Sequence, residues 1–286
     1  MSRRVSPTES IQRAVAAVRS ATALVVSAGA GMGVDSGLPD FRGDEGFWNA
    51  YPPFRRLGLS FIDLANPHWF SADPALAWGF YGHRLGLYRR THPHGGFGIL
   101  LRWAQAARDG YFVFTSNVDG QFQRAGFDPE RIYECHGALD RLQCTAECGV
   151  GLFPTEGRDV EVDESTFRAR EPLPRCPRCG ALARPNVLMF GDWGWDASHS
   201  DEQAGRLGGW IEGRRGGADG RLLIVECGAG TAVPTVRQFG ERLSGLPGAT
   251  LIRLNVREPD VPPGQIGLAM GALAGLSAID AGLSGP

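Results

Sequence analysis

Six cysteines stand in this 286-residue chain, and four fall in two close pairs, Cys144-x-x-x-Cys148 and Cys176-x-x-Cys179. Two such pairs separated by a loop supply four thiolates, which is the ligand set of a tetrahedral zinc ion. Four protein ligands leave no open position for a water, so the metal chemistry predicted is structural. Cys135 and Cys227 fall outside both pairs, within apparent strands, and are expected to be buried core thiols. Groups able to hold polar ligands or move protons lie elsewhere. Ser116-Asn117-Val118-Asp119-Gly120 offers an amide and a carboxylate; read alone it is either a ligand site or a turn using Asn and Asp for backbone bonding. His136, beside Gly137, offers an imidazole whose ordinary pKa near 6.5 suits a base at neutral pH, although a lone histidine also serves as a structural group. Gly29-Ala30-Gly31-Met32-Gly33 is a turn where backbone N–H groups can close on a pyrophosphate. Val34 stands where G-x-G-x-x-G would end, so the turn alone is a weak dinucleotide signal.

Short apolar runs must position these groups. Residues 23–27, 111–115, 132–135, 222–226 and 251–254 read as buried strands, and glycine or polar residues follow them. Ligands of open α/β sheets bind at the carboxyl ends of strands, so Gly29, Asn117, His136, Gly228 and Asn255 are predicted to converge there. Ser6-Pro7-Thr8-Glu9 has a capping-box pattern ahead of Ile11, Ala14, Val15 and Val18 at helical spacing. Residues 97–108 read as an amphipathic helix, and a last helix spans about 270–281. Pro39 with Gly37 and Gly43 forbids a regular helix, which predicts a loop over the ligand. Residues 44–90, rich in Trp, Phe, Tyr, Pro and Arg, read as a module of short helices and loops with most aromatics in its core. Residues 156–171 are charged and predict a flexible excursion, after which 184–192 is predicted to return the chain to the main sheet.

The fold class expected is therefore α/β: a Rossmann-like parallel sheet interrupted by a helical module and a smaller zinc ribbon. One domain is expected over 1–286. Its large part is assigned to 1–43, 91–140 and 184–286, the helical module to 44–90 and the zinc-binding module to 141–183. With 43% hydrophobic residues the chain can bury a sizeable core. The formal net charge of -2 argues against direct nucleic-acid binding. No apolar run reaches the roughly 18 residues of a membrane span, and a polar segment follows the N-terminal Met-Ser-Arg-Arg, so a cytoplasmic location without a membrane partner is expected.

The full string GAGMGVDSGLPDFRG closely resembles the signature of the sirtuins, the NAD-dependent protein deacylases, which read G-A-G-[IM]-x-x-x-S-G-I-P-D-F-R. Later segments resemble the family too. Asn117 and Asp119 match T-Q-N-[IV]-D-G, with Ser116 in place of Gln. His136-Gly137 matches the family His-Gly, and Arg184 to Asp192 resembles R-P-x-[IV]-V-x-F-G-E, with Asp192 in place of Glu. Gly230-Thr231 and Pro234 agree loosely with G-T-S-x-x-V-x-P, and Leu254-Asn255 is similar to the Ile-Asn used near the adenosine ribose. Sirtuins also carry a four-cysteine ribbon at this point. The resemblance runs from about residue 23 to 255.

It implies that NAD, a consumed cosubstrate, is held by Gly29, Ala30, Gly31, Asp40, Phe41, Arg42, Ser116, Asn117, Asp119, Gly228, Gly230, Thr231 and Asn255. His136, Asn117 and Asp119 carry catalysis in this reading, and Cys144, Cys148, Cys176 and Cys179 hold one zinc. An acylated-lysine protein or peptide would add as a strand along Val187, Phe190 and Gly191. The products implied are nicotinamide, O-acyl-ADP-ribose and free lysine. Tyr81 and Arg84, three apart on one helix face, resemble the Tyr-x-x-Arg of sirtuins that prefer succinyl or malonyl groups; an aromatic core residue beside a solvated Arg is the other reading. An ADP-ribosyltransferase or NAD glycohydrolase using the same crevice is the alternative function.

Overall fold

The computed structural model describes residues 6–39, 43–155, 159–213 and 220–285. Asp40, Phe41 and Arg42, three of the residues expected around NAD, lie outside the described residues. Ser6 opens helix α1 (Pro7–Ser20): its hydroxyl accepts the Glu9 N–H at 3.2 Å, and Pro7 fills the first turn, where its missing N–H is not needed. Strand β1 (Ala23–Ala28) follows, with all six residues buried. Helices α2 (Gly43–Ala50), α3 (Pro52–Arg56), α4 (Phe61–Leu64), α5 (Trp69–Ala72) and the long α6 (Pro74–Arg90) form the expected helical insertion. The chain then runs through α7 (Gly95–Ala106), β2 (Tyr111–Thr115), the single turn α8 (Gln121–Arg124) and β3 (Ile132–Glu134).

Next come the strands of the smaller lobe: β4 (Gly137–Cys144), β5 (Phe153–Pro154), β6 (Val162–Asp163), β7 (Arg168–Ala169) and β8 (Ala183–Val187). Helix α9 (Ser198–Glu212), β9 (Leu222–Cys227), α10 (Thr235–Ser244), β10 (Thr250–Leu254), β11 (Ile266–Leu268) and α11 (Ala272–Leu283) complete the fold. Among the described residues the main sheet has six strands in the order β11-β10-β9-β1-β2-β3, all parallel. From β1 the chain first builds outward to β2 and β3, and later restarts at β9 on the other side of β1. The strand order reverses between β1 and β9, and the crevice of a doubly wound sheet lies at that point.

Strand alternation divides the sheet's contacts. Leu24, Val26 and Val225 face α1, α7 and α11 through Ala14, Leu100 and Leu276, whereas Val25, Phe114 and Ile224 face α9 and α10 through Leu207, Val236 and Phe239. A separate aromatic core, with Phe47, Tyr51, Trp78, Phe80 and Tyr81 buried, fills the helical insertion and extends to Leu139, Leu142 and Val187. No helix among the described residues is long and apolar enough to cross a membrane.

Two stretches differ from expectation. Residues 184–187 do not rejoin the main sheet; they run antiparallel to β4, with Cys144 opposite Ala183. The chain leaves β4 through Cys144 and Cys148 and re-enters β8 from Cys176 and Cys179, and the meeting of these two knuckles in one cluster turns it back on itself, whereas a parallel pairing needs a crossover connection. Nor is the charged stretch after residue 156 a loose excursion over its described part, 159–171. β6 and β7 pair as a hairpin against α6 and bury Phe167 and Ala169. The contact depends on glycines of α6: a Cβ at Gly79 would stand 1.8 Å from the Phe167 carbonyl oxygen, and one at Gly82 would stand 2.7 Å from Val160 Cβ.

Candidate active site

The turn after β1 and the turn after β9 touch backbone to backbone. Gly228 has φ 65°, and a Cβ there would lie 2.4 Å from Gly31 Cα; a Cβ at Gly29 would lie 2.9 Å from Ala229 Cα. The Gly29 N–H donates to the Cys227 carbonyl at 3.0 Å and the Gly31 N–H to the Gly228 carbonyl at 3.1 Å. These glycines therefore close the floor of the crevice: the Gly29 and Gly31 amides go to carbonyls at the end of β9 and the Gly228 amide to the Leu254 carbonyl, whereas among the described residues the Ala30 N–H donates to no backbone acceptor. Among the described residues the Ala229 and Gly230 N–H groups donate to no protein acceptor, so the second turn keeps donors for an anion.

The neighbouring strand ends are tied to this floor. Ser116 N–H donates to the Ala28 carbonyl at 3.2 Å, and the Asn117 amide donates to the Gly29 carbonyl at 3.0 Å. Asn255, 2% exposed, donates to the Ala229 carbonyl at 2.8 Å and accepts the Arg257 and Glu258 N–H groups at 3.0 Å. Thr231 gives its N–H and hydroxyl to the Glu258 carboxylate at 3.1 and 2.5 Å. Glu258 is not singled out by sequence reasoning, because a surface acid after Asn255 carries no pattern of its own.

Asp119 accepts the Gln121 N–H at 3.0 Å, and burial pushes its carboxyl up to about 6 from an ordinary 3.8. His136 sits in the turn between β3 and β4, and burial holds its imidazole below the usual 6.5, so it is neutral and able to accept a proton at pH 7. The glycine after it is obligatory: at φ 74°, a Cβ on Gly137 would stand 2.0 Å from the Asn186 carbonyl oxygen. Two residues before the histidine, buried Glu134 accepts from Arg141 at 3.1 Å and from Gln203 at 3.5 Å, and Gln203 in turn accepts the Glu134 N–H at 3.0 Å. The signal for this network is an acid in an otherwise apolar strand, two residues before His136. Its partners come from a distant helix that no local pattern links to it.

The segment beyond β8 passes directly by the histidine, for Leu188 N–H donates to the His136 carbonyl at 3.0 Å. Val187 is buried, Phe190 is 39% exposed and donates its N–H to the Ala65 carbonyl at 2.8 Å, and Gly191 turns the chain at φ 68°. Arg184 grips Asp192 with two bonds of 2.7 and 2.8 Å, so Asp in place of Glu still fastens the end of this segment. On α6, Tyr81 and Arg84 do come together, with the guanidinium 5.9 Å from the Tyr81 ring centroid. Arg84 is 6% exposed, which rules out a solvated arginine, and its Nε and Nη2 donate to Tyr88 Oη at 3.1 and 2.8 Å.

Away from the crevice, the sulfurs of Cys144, Cys148, Cys176 and Cys179 all lie within 4.8 Å of one another, two pairs of them 3.5 Å apart. A tetrahedron with zinc–sulfur bonds near 2.3 Å sets its sulfurs roughly 3.8 Å apart, so this donor set fits one zinc ion. Cys135 and Cys227 are buried outside the cluster; burial pushes the Cys135 thiol up to about 12 and raises that of Cys227 as well, which leaves both inert at neutral pH.

The Sir2 family matches residues 29–202. Among curated relatives, an NAD-dependent protein deacylase of Aquifex aeolicus is 34% identical over 59% of this chain and 62% of its own length. One of Pyrococcus abyssi is 33% identical over 64% of this chain, and the match spans 65% of that relative. A Thermus thermophilus relative of the same name is 30% identical over 94% of this chain and 93% of its own length. Sirtuin-5 of Danio rerio is 34% identical over 59% of this chain and 57% of its own. In fold the chain is similar to a Sir2 homologue solved with NAD, at TM-score 0.64 and 23% identity, covering 96% of this chain and 95% of that one. A second solved structure, of a mutant Sir2 homologue with ADP-ribose, gives TM-score 0.66 at 24% identity, covering 94% and 95%. A match over residues 29–202 spans more than half of the chain, and with the end-to-end likeness to the Thermus relative it means that this chain belongs to the Sir2 family.

Proposed function

We propose that the protein is an NAD-dependent protein-lysine deacylase that releases nicotinamide, O-acyl-ADP-ribose and free lysine. The observation that carries this reading is the convergence at one crevice of the strand-end turns bearing Gly29, Asn117, Gly228 and Asn255, with neutral His136 beside the edge segment 187–191. NAD supplies a ribose carbon from which nicotinamide departs when the acyl oxygen of the lysine side chain attacks it. The free N–H groups of Ala229 and Gly230 suit its pyrophosphate, and Asn255 suits the adenosine end. Asn117, fixed by the Gly29 carbonyl, and Asp119 would stand at the nicotinamide end. His136 would take the proton of a ribose hydroxyl as that oxygen attacks the acyl carbon, a step within reach of an imidazole held neutral. The substrate is an acylated protein whose backbone adds along Val187, Phe190 and Gly191. Incubating the protein with an acetylated peptide should release one nicotinamide per lysine freed, with neither product formed when NAD is omitted; lysine release without NAD would overturn the reading.

Acidic acyl groups fit the helical insertion. A succinyl or malonyl carboxylate is costly to bury without a partner charge, and Arg84, buried among Phe61, Phe80, Tyr81 and Tyr88 rings, can meet it. Arg84→Met should lower removal of these groups by around ten- to a hundredfold, matching the roughly 1.5–3 kcal/mol of a charged hydrogen bond, and change acetyl removal little. A loss shared equally by both acyl classes in steady-state assays would show that Arg84 serves the fold and not the pocket.

The acid limb of the rate follows from the two shifted groups. Asp119 must be ionised and His136 neutral, so kcat should hold above pH 7 and fall as pH drops through about 6, where Asp119 takes a proton. Stability runs the other way for Asp119. A carboxyl raised from 3.8 to about 6 binds its proton more tightly in the fold, so its contribution is full below pH 3.8 and is lost as pH rises to 6. Asp119→Asn should accordingly melt at or above the wild-type temperature at pH 8 while losing most activity. A variant that is active, or one that melts well below wild type, would contradict this assignment.

A further inference from the structure

Two residues past Gly191, Trp193 is 99% exposed. It borders a cleft of about 320 Å³ with Gln143, Glu147, Gly194, Trp195 and Asp196, and Cys144 and Cys148 of the zinc-binding cluster stand on the same lining; the volume is near the lower end of ligand pockets, roughly 300–1,000 Å³. The cleft's wall is fixed before anything binds. Gln143 Nε2 donates to the Gly194 carbonyl at 2.6 Å, and Gln143 Oε1 accepts from Asp196 N at 3.2 Å and from Asn186 Nδ2 at 2.9 Å. Asn186 Nδ2 also reaches the Asp196 carbonyl at 2.8 Å. A site already ordered loses less on binding.

Two features indicate the occupant. The carboxylates on the lining are Glu147 and Asp196, and no Lys, Arg or His lines the cleft. An open indole face beside carboxylates attracts a cation, most of all a planar guanidinium.

We propose that this cleft is a substrate subsite for a Lys or Arg side chain flanking the acyl-lysine. The cation lies against Trp193 and its charge faces Glu147 and Asp196. The inference rests on the deacylase reading, because it is the segment through Gly191 that would carry the peptide to this cleft. It makes the zinc-binding lobe a reader of local charge as well as a brace.

The test compares the full chain with its Trp193→Ala and Glu147→Gln variants. Acetyl-lysine peptides carrying Arg, Ala or Glu at each flanking position are scored by kcat/KM and, without NAD, by fluorescence anisotropy of the labelled peptide. At one or more positions the Arg peptide should exceed the Glu peptide about tenfold, mainly in KM, the scale of a cation on an aromatic face with charge support. Each variant should reduce that ratio to about threefold or less, with the Ala peptide processed as before and zinc content unchanged. A wild-type protein indifferent to flanking charge, or variants that keep the full preference, would overturn the proposal. If no peptide loses its acyl group, the deacylase reading fails by itself, and the binding arm still decides on the cleft: Arg-selective binding lost in Trp193→Ala supports it, and equal binding of all peptides rejects it.

Discussion

Replacing His136 with alanine lowers deacylation by about a hundredfold or more, the usual scale for removing a general base, while NAD binding measured by calorimetry stays largely intact. The separation follows from where the residue sits. Its bond to the peptide-side segment is made by its backbone carbonyl, which accepts from Leu188 N–H and survives the substitution. The turns that form the crevice floor are joined through Gly29, Gly31 and Gly228, none of which depends on the imidazole. The variant should therefore fold, bind and fail to turn over. Near-normal turnover would show that another group takes the proton and that His136 is a packing residue.

Cys176→Ser should remove zinc from a protein that otherwise holds about one ion per chain, and lower the melting temperature by about 10 °C or more. Closed four-thiolate sites contribute apparent binding free energies on the order of 10–16 kcal/mol in small zinc modules. Only part of this should be lost here, because β4 and β8 also pair directly and the aromatic core of the helical insertion supports them. Cys176 is the informative ligand, being buried and bonded through its N–H to the Ala181 carbonyl at 2.8 Å. Elemental analysis alongside thermal melts checks the pair of outcomes. A zinc-free variant that melts with the wild type would mean that the cysteines do not brace the lobe.

What can be read from the chain alone depends on how local each cause is. β1, β2, β9 and β10 announce themselves by short apolar runs, and the four cysteines by spacing, because one strand or one knuckle holds the whole pattern. The pairing of β8 differs from the sequence reading because a single strand carries no mark of its partner; the meeting of the two cysteine knuckles, a three-dimensional constraint, sets it beside β4. Gly79 and Gly82 look like weak points in a helix until the hairpin carrying Phe167 is laid across them. The first glycine turn lies where the sequence places it, but its Gly29 and Gly31 amides are held by the end of β9 and the turn after it, which come much later in the chain. The pairing of Glu134 with Gln203 is hidden for the same reason.

The measurement that tests the account most directly is mass spectrometry of the products formed from NAD with acetylated and succinylated peptides. The account predicts free-lysine peptide, nicotinamide and O-acyl-ADP-ribose in equal amounts, with the succinyl peptide processed at least as well as the acetyl one. Free ADP-ribose with the peptides still acylated, or ADP-ribose attached to protein, would contradict it and identify a glycohydrolase or a transferase instead.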